Sequence, residues 1–387
     1  MSANDAVIVS AVRSAVGRGK KDGSLANVHP VDLSAEVLKA AVREAGIDTR
    51  DIDDVILGCA MPEASQGLNV ARLSVLRAGF PVEVPATTVN RFCSSGLQTV
   101  AMGAQAIMSG MAETVIAGGI EMMSQVPMSG FHTRLNPAIT ESYIGMGFTA
   151  ERVAERWGVN RADQDAWALG SQQKAASAWQ AGRFDGQIVP VEAERIAPDG
   201  SSQRAAFTRD ELVRADTTAD KLAKLQPAFK SGGTVTAGNA SPYSDGAAAL
   251  VLMKRAKAEA LGLKPLARFV TFAAAGVDPD IMGVGPIRAV PKALRLAGMS
   301  LSDIDLIEFN EAFASQIVAS MRELGMDQDR VNVNGGAIAL GHPLGATGAK
   351  LTTQLIHELR RRGGGRGLVT MCVGGGMGAA GIFEVAA

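Results

Sequence analysis

The sequence predicts an α/β protein of two similar halves, with a further lobe set into the first half. Three observations carry this. Short apolar runs alternate with amphipathic helical patterns along the chain, as expected of largely parallel sheets covered by helices on both faces. A segment near the start reappears near the end at a fixed offset. Between the two copies lies a charged, helix-rich stretch with no counterpart.

The runs AVIVSAV from Ala6, DVILGC from Asp54 and TVIAGG from Thr114 read as buried strands, as do ALVLM from Ala249, LIEFN from Leu306 and GLVTMCV from Gly367. Helical patterns such as VDLSAEVLKAAVREAG and MGAQAIMSG lie between them. In the repeat, HPVDLSAEVLKAAVREAGIDTRDIDDVI resembles GPIRAVPKALRLAGMSLSDIDLIEF. Ala45-Gly46 pairs with Ala297-Gly298 and Asp51-Ile52-Asp53 with Asp303-Ile304-Asp305, each 252 positions apart. The same offset sets Gly96, which closes Cys93-Ser94-Ser95-Gly96, against Gly348 in the segment after His342. Two related halves would then face each other across a pseudo-dyad, each bringing one turn that leads into a helix. The halves are residues 1–120 with 246–266, and 267–387; residues 121–245 form the insertion. It holds ERVAERWGVNRADQDAWALGSQQKAASAWQAGRF and the Pro- and Gly-rich stretches Pro127–Gly130 and Pro198–Gly200, and reads as a lobe over the active face.

Bulk properties narrow the function. Hydrophobic residues make up 47% of 387 and charged residues 20%, as in an ordinary protein with a large core. Aromatics are only 4% while glycines number 44, which favours close helix–sheet packing over an aromatic binding face. A net charge of -1 gives no field to attract nucleic acid or an anionic membrane, and no segment reads as a membrane span. Three cysteines without a CxxC pair point to a reducing compartment. The opening MSANDAVIVSAVRS lacks a secretory pattern and the closing IFEVAA lacks a peroxisomal tripeptide, so the cytoplasm is expected.

Four segments carry groups suited to chemistry. In Val89–Ala101, an extended run leads into Cys93, small residues follow, and then a helical stretch. A cysteine at such a turn sits on the positive end of the helix dipole, which favours the nucleophilic thiolate; the alternative is a buried structural cysteine. His342 lies in a Gly-His-Pro turn that the repeat maps onto the Cys93 turn. Of the other histidines, His29 precedes a proline, His132 lies in the insertion and His357 sits on a charged helix. A Cys–His pair across the dyad needs that mapping, and the alternative is a turn histidine bonded to backbone. Asn310-Glu311-Ala312-Phe313 follows the strand LIEF, at the lip where α/β sheets bind ligands; Asn310 also reads as an N-cap for the helix AFASQIVASMREL. Finally, Met371-Cys372-Val373-Gly374-Gly375-Gly376 runs from a strand into glycines whose N–H groups suit an oxyanion. Gly376, Gly378 and Gly381 match GxGxxG, but no helix can follow there, so a dinucleotide site is rejected. Cys59 reads as core. The absence of HExxH, CxxC and GxSxG argues against a metal site or a serine hydrolase.

Together these motifs resemble the thiolase family over nearly the whole chain, from AVIVSAVRSAVGR to GGGMGAAGIFE. The resemblance implies a five-layered αβαβα fold of two pseudo-symmetric halves with an inserted loop domain for CoA, substrate and oligomer contacts. It implies that Cys93 attacks the 3-keto carbon of a 3-ketoacyl-CoA while His342 takes the thiol proton. His342 and a water held by Asn310 would bind the thioester oxygen. Cys372 would protonate the leaving enolate and later activate CoA. The N–H groups of Cys93 and Gly374 would form a second oxyanion site, each donor worth about 3–4 kcal/mol. A Cys paired with His at a helix end can have its pKa lowered to roughly 3.5–7.5. Arg214 and Ser241 match positions contacting CoA, and Met146, Met282 and Phe313 match its pocket. CoA is then a co-substrate, with no resident cofactor or metal. Partners implied are acyl-CoA, CoA, a second copy in a homodimer or homotetramer, and a β-oxidation partner subunit.

One departure bears on the substrate. Short-chain acetoacetyl-CoA thiolases carry a histidine just before the Met-Gly of the loop at Met146, and here that position is Gly145. Less bulk near the acyl site admits longer chains. The reading favoured is a degradative 3-ketoacyl-CoA thiolase of fatty-acid β-oxidation working through an acyl-cysteine. The alternatives are a biosynthetic acetoacetyl-CoA thiolase and, more remotely, a non-catalytic acyl-CoA or lipid-binding relative.

Overall fold

The computed structural model describes residues 2–128, 130–131, 134–196 and 201–386; His132 and the stretch Pro198–Gly200 lie outside them. The first half opens with β1 (Ala6–Ser14), β2 (Gly17–Arg18), α1 (Pro30–Ala45), β3 (Asp54–Gly58), α2 (Val70–Arg77), β4 (Ala86–Val89), α3 (Ser95–Met108) and β5 (Thr114–Met122). Next come α4 (Met146–Arg156), α5 (Arg161–Gln180), β6 (Ile188–Val189), the hairpin of β7 (Val191–Ile196) and β8 (Ser202–Phe207), and α6 (Ala219–Ala223). The chain then returns through β9 (Ser244–Lys254) and α7 (Arg255–Ala260). The second half holds β10 (Ala267–Gly276), α8 (Gly285–Ala297), β11 (Leu306–Phe309), α9 (Ala314–Leu324), α10 (Ala337–Leu340), α11 (Leu344–Arg361), β12 (Gly365–Val373) and β13 (Met377–Val385).

The repeated segments fold alike because they repeat the same punctuation. Helices α1 and α8 both start with proline in the first turn and end on a left-handed glycine, Gly46 (φ 68°) and Gly298 (φ 65°). His29 accepts a hydrogen bond from Val31 N–H and so caps α1. Short 3-10 turns at Thr49–Asp51 and Leu301–Asp303 then lead into β3 and β11.

The strands run β11-β12-β13-β10-β1-β9-β5-β3-β4. The two halves of this row join where Val7 meets Arg268 and Ile8 meets Ala267. The expectation of largely parallel sheets is corrected. Among the described strands, parallel pairing is found for β3 with β4 and β5, β11 with β12, and the short β6 with β1. The centre is antiparallel, because β13 follows β12 through a three-glycine turn that leaves no room for a crossover helix. The GxGxxG look-alike opens no helix: Gly376 lies in the turn, and Gly378 and Gly381 lie on β13.

Five layers result. Helices α1 and α2 cover the outer face of the first sheet, and α8 and α9 that of the second. Between the sheets lie α3 and α11, with Leu97, Val100, Ile107, Leu351, Leu355 and Ile356 in one apolar core. Each such side chain, fully buried, stabilises by roughly 1.5–3 kcal/mol. The two central helices touch at the paired glycines: a Cβ on Gly96 would lie 2.7 Å from Ala349 N, and one on Gly348 2.1 Å from Leu97 N. That contact sets the first turns of α3 and α11, with Cys93 and His342 just before them, side by side.

Candidate active site

Strand β4 delivers extended chain to Asn90, and the chain then turns sharply. Phe92 takes φ 43°, a left-handed conformation that costs a non-glycine residue of order 1–3 kcal/mol. Side chains hold it there. Asn90 Oδ1 accepts from Phe92 N–H at 2.8 Å, and Ser95 Oγ accepts from Arg91 N–H at 2.9 Å while donating to Phe92 O at 2.7 Å. Cys93 follows in the 3-10 turn before α3, 8% exposed and packed against Ala60 and Leu344.

His342 enters from the opposite half. Gly341 precedes it at φ 83°, where a Cβ would come within 2.6 Å of Val16 and 2.7 Å of Ser244 Oγ. The His342 N–H donates to Ser244 Oγ at 3.0 Å. Its Nδ1 lies 2.6 Å from Thr347 Oγ, whose own proton goes to Pro343 O at 3.0 Å. Thr347 therefore accepts, Nδ1 carries the ring proton, and Nε2 keeps its lone pair. That lone pair meets Asn310 Nδ2 at 3.3 Å. Asn310 Oδ1 is buried with no hydrogen-bond partner among the described residues. The N-cap of α9 is Phe313, so the N-cap reading of Asn310 is set aside.

Cys372 lies one residue before the end of β12 and packs with Met282, Ala312 and Phe313, with Met146 against them. Its thiol donates to Gln316 Oε1 at 3.5 Å. The Gly374 N–H and the N–H of Cys93 itself point at the Cys93 sulfur. Cys93 and Cys372 are near enough for the charge on one to raise the pKa of the other. The structure thus brings Cys93, Cys372 and Gly374 to one place, and His342 to Asn310. No hydrogen bond joins Cys93 to His342 among the described residues; their turns meet through Leu344.

Two buried carboxylates brace these loops. Glu121 accepts from the N–H groups of Ala60, Met61 and Gly345 and from Gln66. Glu311 accepts from Trp167, Ser171, Asn332 and Ile338 N–H. Glu311 is thus a clamp between α5 and the loop before His342 rather than a group at the ligand face.

The expected low pKa of Cys93 is not found. Burial pushes its thiol up to about 11, and the N–H groups of Gly374 and Cys93 only partly offset this. Burial, with Lys350 nearby, pushes His342 down to about 3. The helix end is outweighed because Cys93 is buried and the imidazole of His342 is neutral. The resting pair is thiol and imidazole, and the proton must move during attack.

Of the expected CoA positions, Ser241 is tied to the Asn310 loop through its N–H to Ala312 O at 2.9 Å, next to the Ala240–Phe313 bridge. Met146, Met282 and Phe313 join Cys372 in one cluster. Arg214 is exposed and stands apart, its N–H on Gln172 Oε1 at 2.8 Å. It is flanked by Val213 and Ala215, which line a cavity of about 500 Å³ with Gln180, Phe207 and Arg209. A Cβ on Gly145 would lie 3.4 Å from the exposed ring of Phe148, and an edge-to-face row runs from Phe148 through Phe229 to Phe313 of the cluster. Ser244, Thr347 and Gln316 join these residues without a sequence motif of their own. Thr347, five residues after His342 on the same helix start, was the one with a local signal.

The family model described as Thiolase, N-terminal domain matches residues 6–256, and that described as Thiolase, C-terminal domain matches residues 263–385. The chain is 57% identical to the 3-ketoacyl-CoA thiolase of Bacillus subtilis (strain 168), covering 98% of this chain and 99% of the relative. It is 49% identical to the acetyl-CoA acetyltransferase of Pseudomonas aeruginosa, covering 97% and 98%. The crystal structure of the Bacillus anthracis acetyl-CoA acetyltransferase superposes with a TM-score of 0.91 at 44% identity, covering 98% of each chain.

Proposed function

This chain belongs to the thiolase family, and on that premise we propose that it is a 3-ketoacyl-CoA thiolase, an acyltransferase that cleaves 3-ketoacyl-CoA with CoA through an acyl-cysteine. The observation that carries the chemistry is the convergence on the Cys93 sulfur. Gly374 N–H points at it, Cys372 lies beside it, and the turn of a neutral His342 packs against it.

In the first half-reaction the Cys93 thiol gives its proton to His342 Nε2, and its sulfur attacks the 3-keto carbon. The carbonyl electron pair moves onto oxygen, facing the N–H groups of Cys93 and Gly374. Collapse breaks the C2–C3 bond, and that pair becomes the enolate of acetyl-CoA. Cys372 protonates C2. The acyl group stays on Cys93 as a thioester. CoA then gives its thiol proton to Cys372 and attacks the acyl carbon, and departing Cys93 recovers its proton from His342. His342 and a water on Asn310 Oδ1 serve the thioester oxygen, a role that the unpartnered acceptor supports.

CoA is the co-substrate, and residues 121–245 supply Ser241 toward the pantetheine, Arg214 toward the nucleotide and Met146, while Met282 and Phe313 of the second half line the way. A homodimer or homotetramer is supported by β4, which ends the strand row with exposed Leu68, Leu73, Leu76 and Val82 nearby. Docking to a β-oxidation partner subunit is compatible with this. Three unpaired cysteines support a cytoplasmic setting, and no described helix is long and apolar enough to cross a membrane.

The degradative reading rests on the 57% relative and on the absence of a histidine at Gly145. A biosynthetic acetoacetyl-CoA thiolase is favoured instead by the relatives called acetyl-CoA acetyltransferase. Thiolysis rates on acetoacetyl-CoA and on 3-ketoacyl-CoA of six to sixteen carbons (a range of about that span) decide between them. The degradative reading expects kcat/KM to hold or rise with length; a strong preference for the four-carbon substrate overturns it.

A further inference from the structure

We propose that Gln316 is a positioning residue that holds Cys372 in its protonated form, ready to act as the acid. The inference rests on the role given to Cys372 above.

The carboxamide orientation follows from its neighbours. Gln316 Oε1 is met by Ala312 N–H at 3.2 Å. A backbone N–H can only donate, so the atom it meets is the oxygen. That same oxygen takes the Cys372 thiol at 3.5 Å. The other end of the amide, Nε2, is buried and has no hydrogen-bond partner among the described residues, so nothing pulls the group the other way round. The stem is fixed as well. A Cβ at position 283 would lie 2.7 Å from Gln316 Cβ, so Gly283 leaves the space in which Gln316 lies. Position 316 is on α9, whose first residue, Ala314, donates its N–H to Asn239 O at 2.8 Å.

An oxygen facing sulfur favours S–H over S⁻. The carbon–carbon cleavage needs this, since the acid must still hold its proton when the enolate forms. After proton transfer the Cys372 thiolate faces a carbonyl oxygen in a buried site, which makes it a strong base toward the thiol of CoA. No atom of Gln316 changes covalent state; the proton shuttles between Cys372 and, in turn, C2 of acetyl-CoA and the sulfur of CoA.

The test compares Gln316→Leu with Gln316→Glu. Leucine removes the acceptor. Glutamate keeps an oxygen for both Ala312 and Cys372, whether ionised or not. In a Cys93→Ala background, iodoacetamide alkylation of Cys372, followed by peptide mass spectrometry, is measured against pH. Gln316→Leu is expected to lower the alkylation midpoint by about one pH unit, the scale of one hydrogen bond. Gln316→Glu is expected to leave it in place or raise it. In the Cys93 enzyme, Gln316→Leu should reduce kcat at least tenfold with KM within about twofold, and Gln316→Glu should keep more of the activity. Equal midpoints in all three proteins, or a fall in both variants, overturns the proposal. Cys372→Ala separates the two readings. If it turns over at the parent rate, the role of Cys372 itself is wrong; if it is inactive and the midpoints do not move, only the role of Gln316 is wrong.

Discussion

At the residue scale, the account turns on a thiol that is not activated in advance. Burial holds Cys93 up at about 11 and His342 down at about 3. The thiolate fraction of the unliganded enzyme then rises tenfold per pH unit up to that point. Inactivation by iodoacetamide without substrate should climb steadily from pH 7 to 10; a plateau near neutral pH would show an ion pair already formed. Thr347 fixes the imidazole tautomer, so Thr347→Val should reduce kcat by about 10- to 100-fold, part of the roughly 10²–10⁴ that a general base supplies, with KM little changed in steady-state assays. Cys93, His342, Asn310 and Cys372 stood out as candidates in the sequence because each sits near a strand end or in a Gly/Pro turn. Their protonation states were not, since a dipole at a turn is local while desolvation depends on chain segments distant in sequence. Gln316 was illegible for the same reason: only the fold sets it against Cys372.

At the element scale, the crossing of α3 and α11 decides whether the two halves of the site meet. Gly96→Ala and Gly348→Ala both press a methyl into backbone. Each should lower stability by about 1–3 kcal/mol or more, and each should lose activity beyond what unfolding explains, because Cys93 and His342 shift apart. Gly170→Ala is the control. Mid-helix in α5, with nothing within 4 Å of its Cβ, it should raise stability by up to about 1 kcal/mol in urea titrations. The helices and their stops were readable from repeated Pro and Gly. Strands β10 and β13 were not recognised, since AAAG and MGAAG look like loop until their hairpin partners are in place. That omission also hid the antiparallel centre of the sheet.

At the scale of the whole molecule, the 252-residue offset revealed the two halves and their facing turns, although no sequence pattern announced how the sheets join. The interior that results is costly in charge. Glu308 is buried with both oxygens unpartnered among the described residues, and burial pushes it up to about 8, with Lys350 and Arg13 lowering it and Glu358 and Glu311 raising it. Its folded pKa lies above the unfolded value, so its share of stability is full below about pH 4.5 and is lost as pH rises to about 8. The stability difference between wild type and Glu308→Gln, followed by urea titration from pH 5 to 8, should move against wild type by up to ~1.4 kcal/mol per pH unit. A flat difference would mean that Glu308 is ionised throughout.

The central claim is that the acyl group passes through Cys93. Mixing the enzyme with a 3-ketoacyl-CoA in the absence of free CoA, quenching in acid and mapping the peptides by mass spectrometry tests it directly. The account predicts the chain-shortened acyl group on Cys93, released as acyl-CoA when CoA is added. An acyl group on Cys59 or Cys372 instead, or steady cleavage by Cys93→Ala, would contradict it.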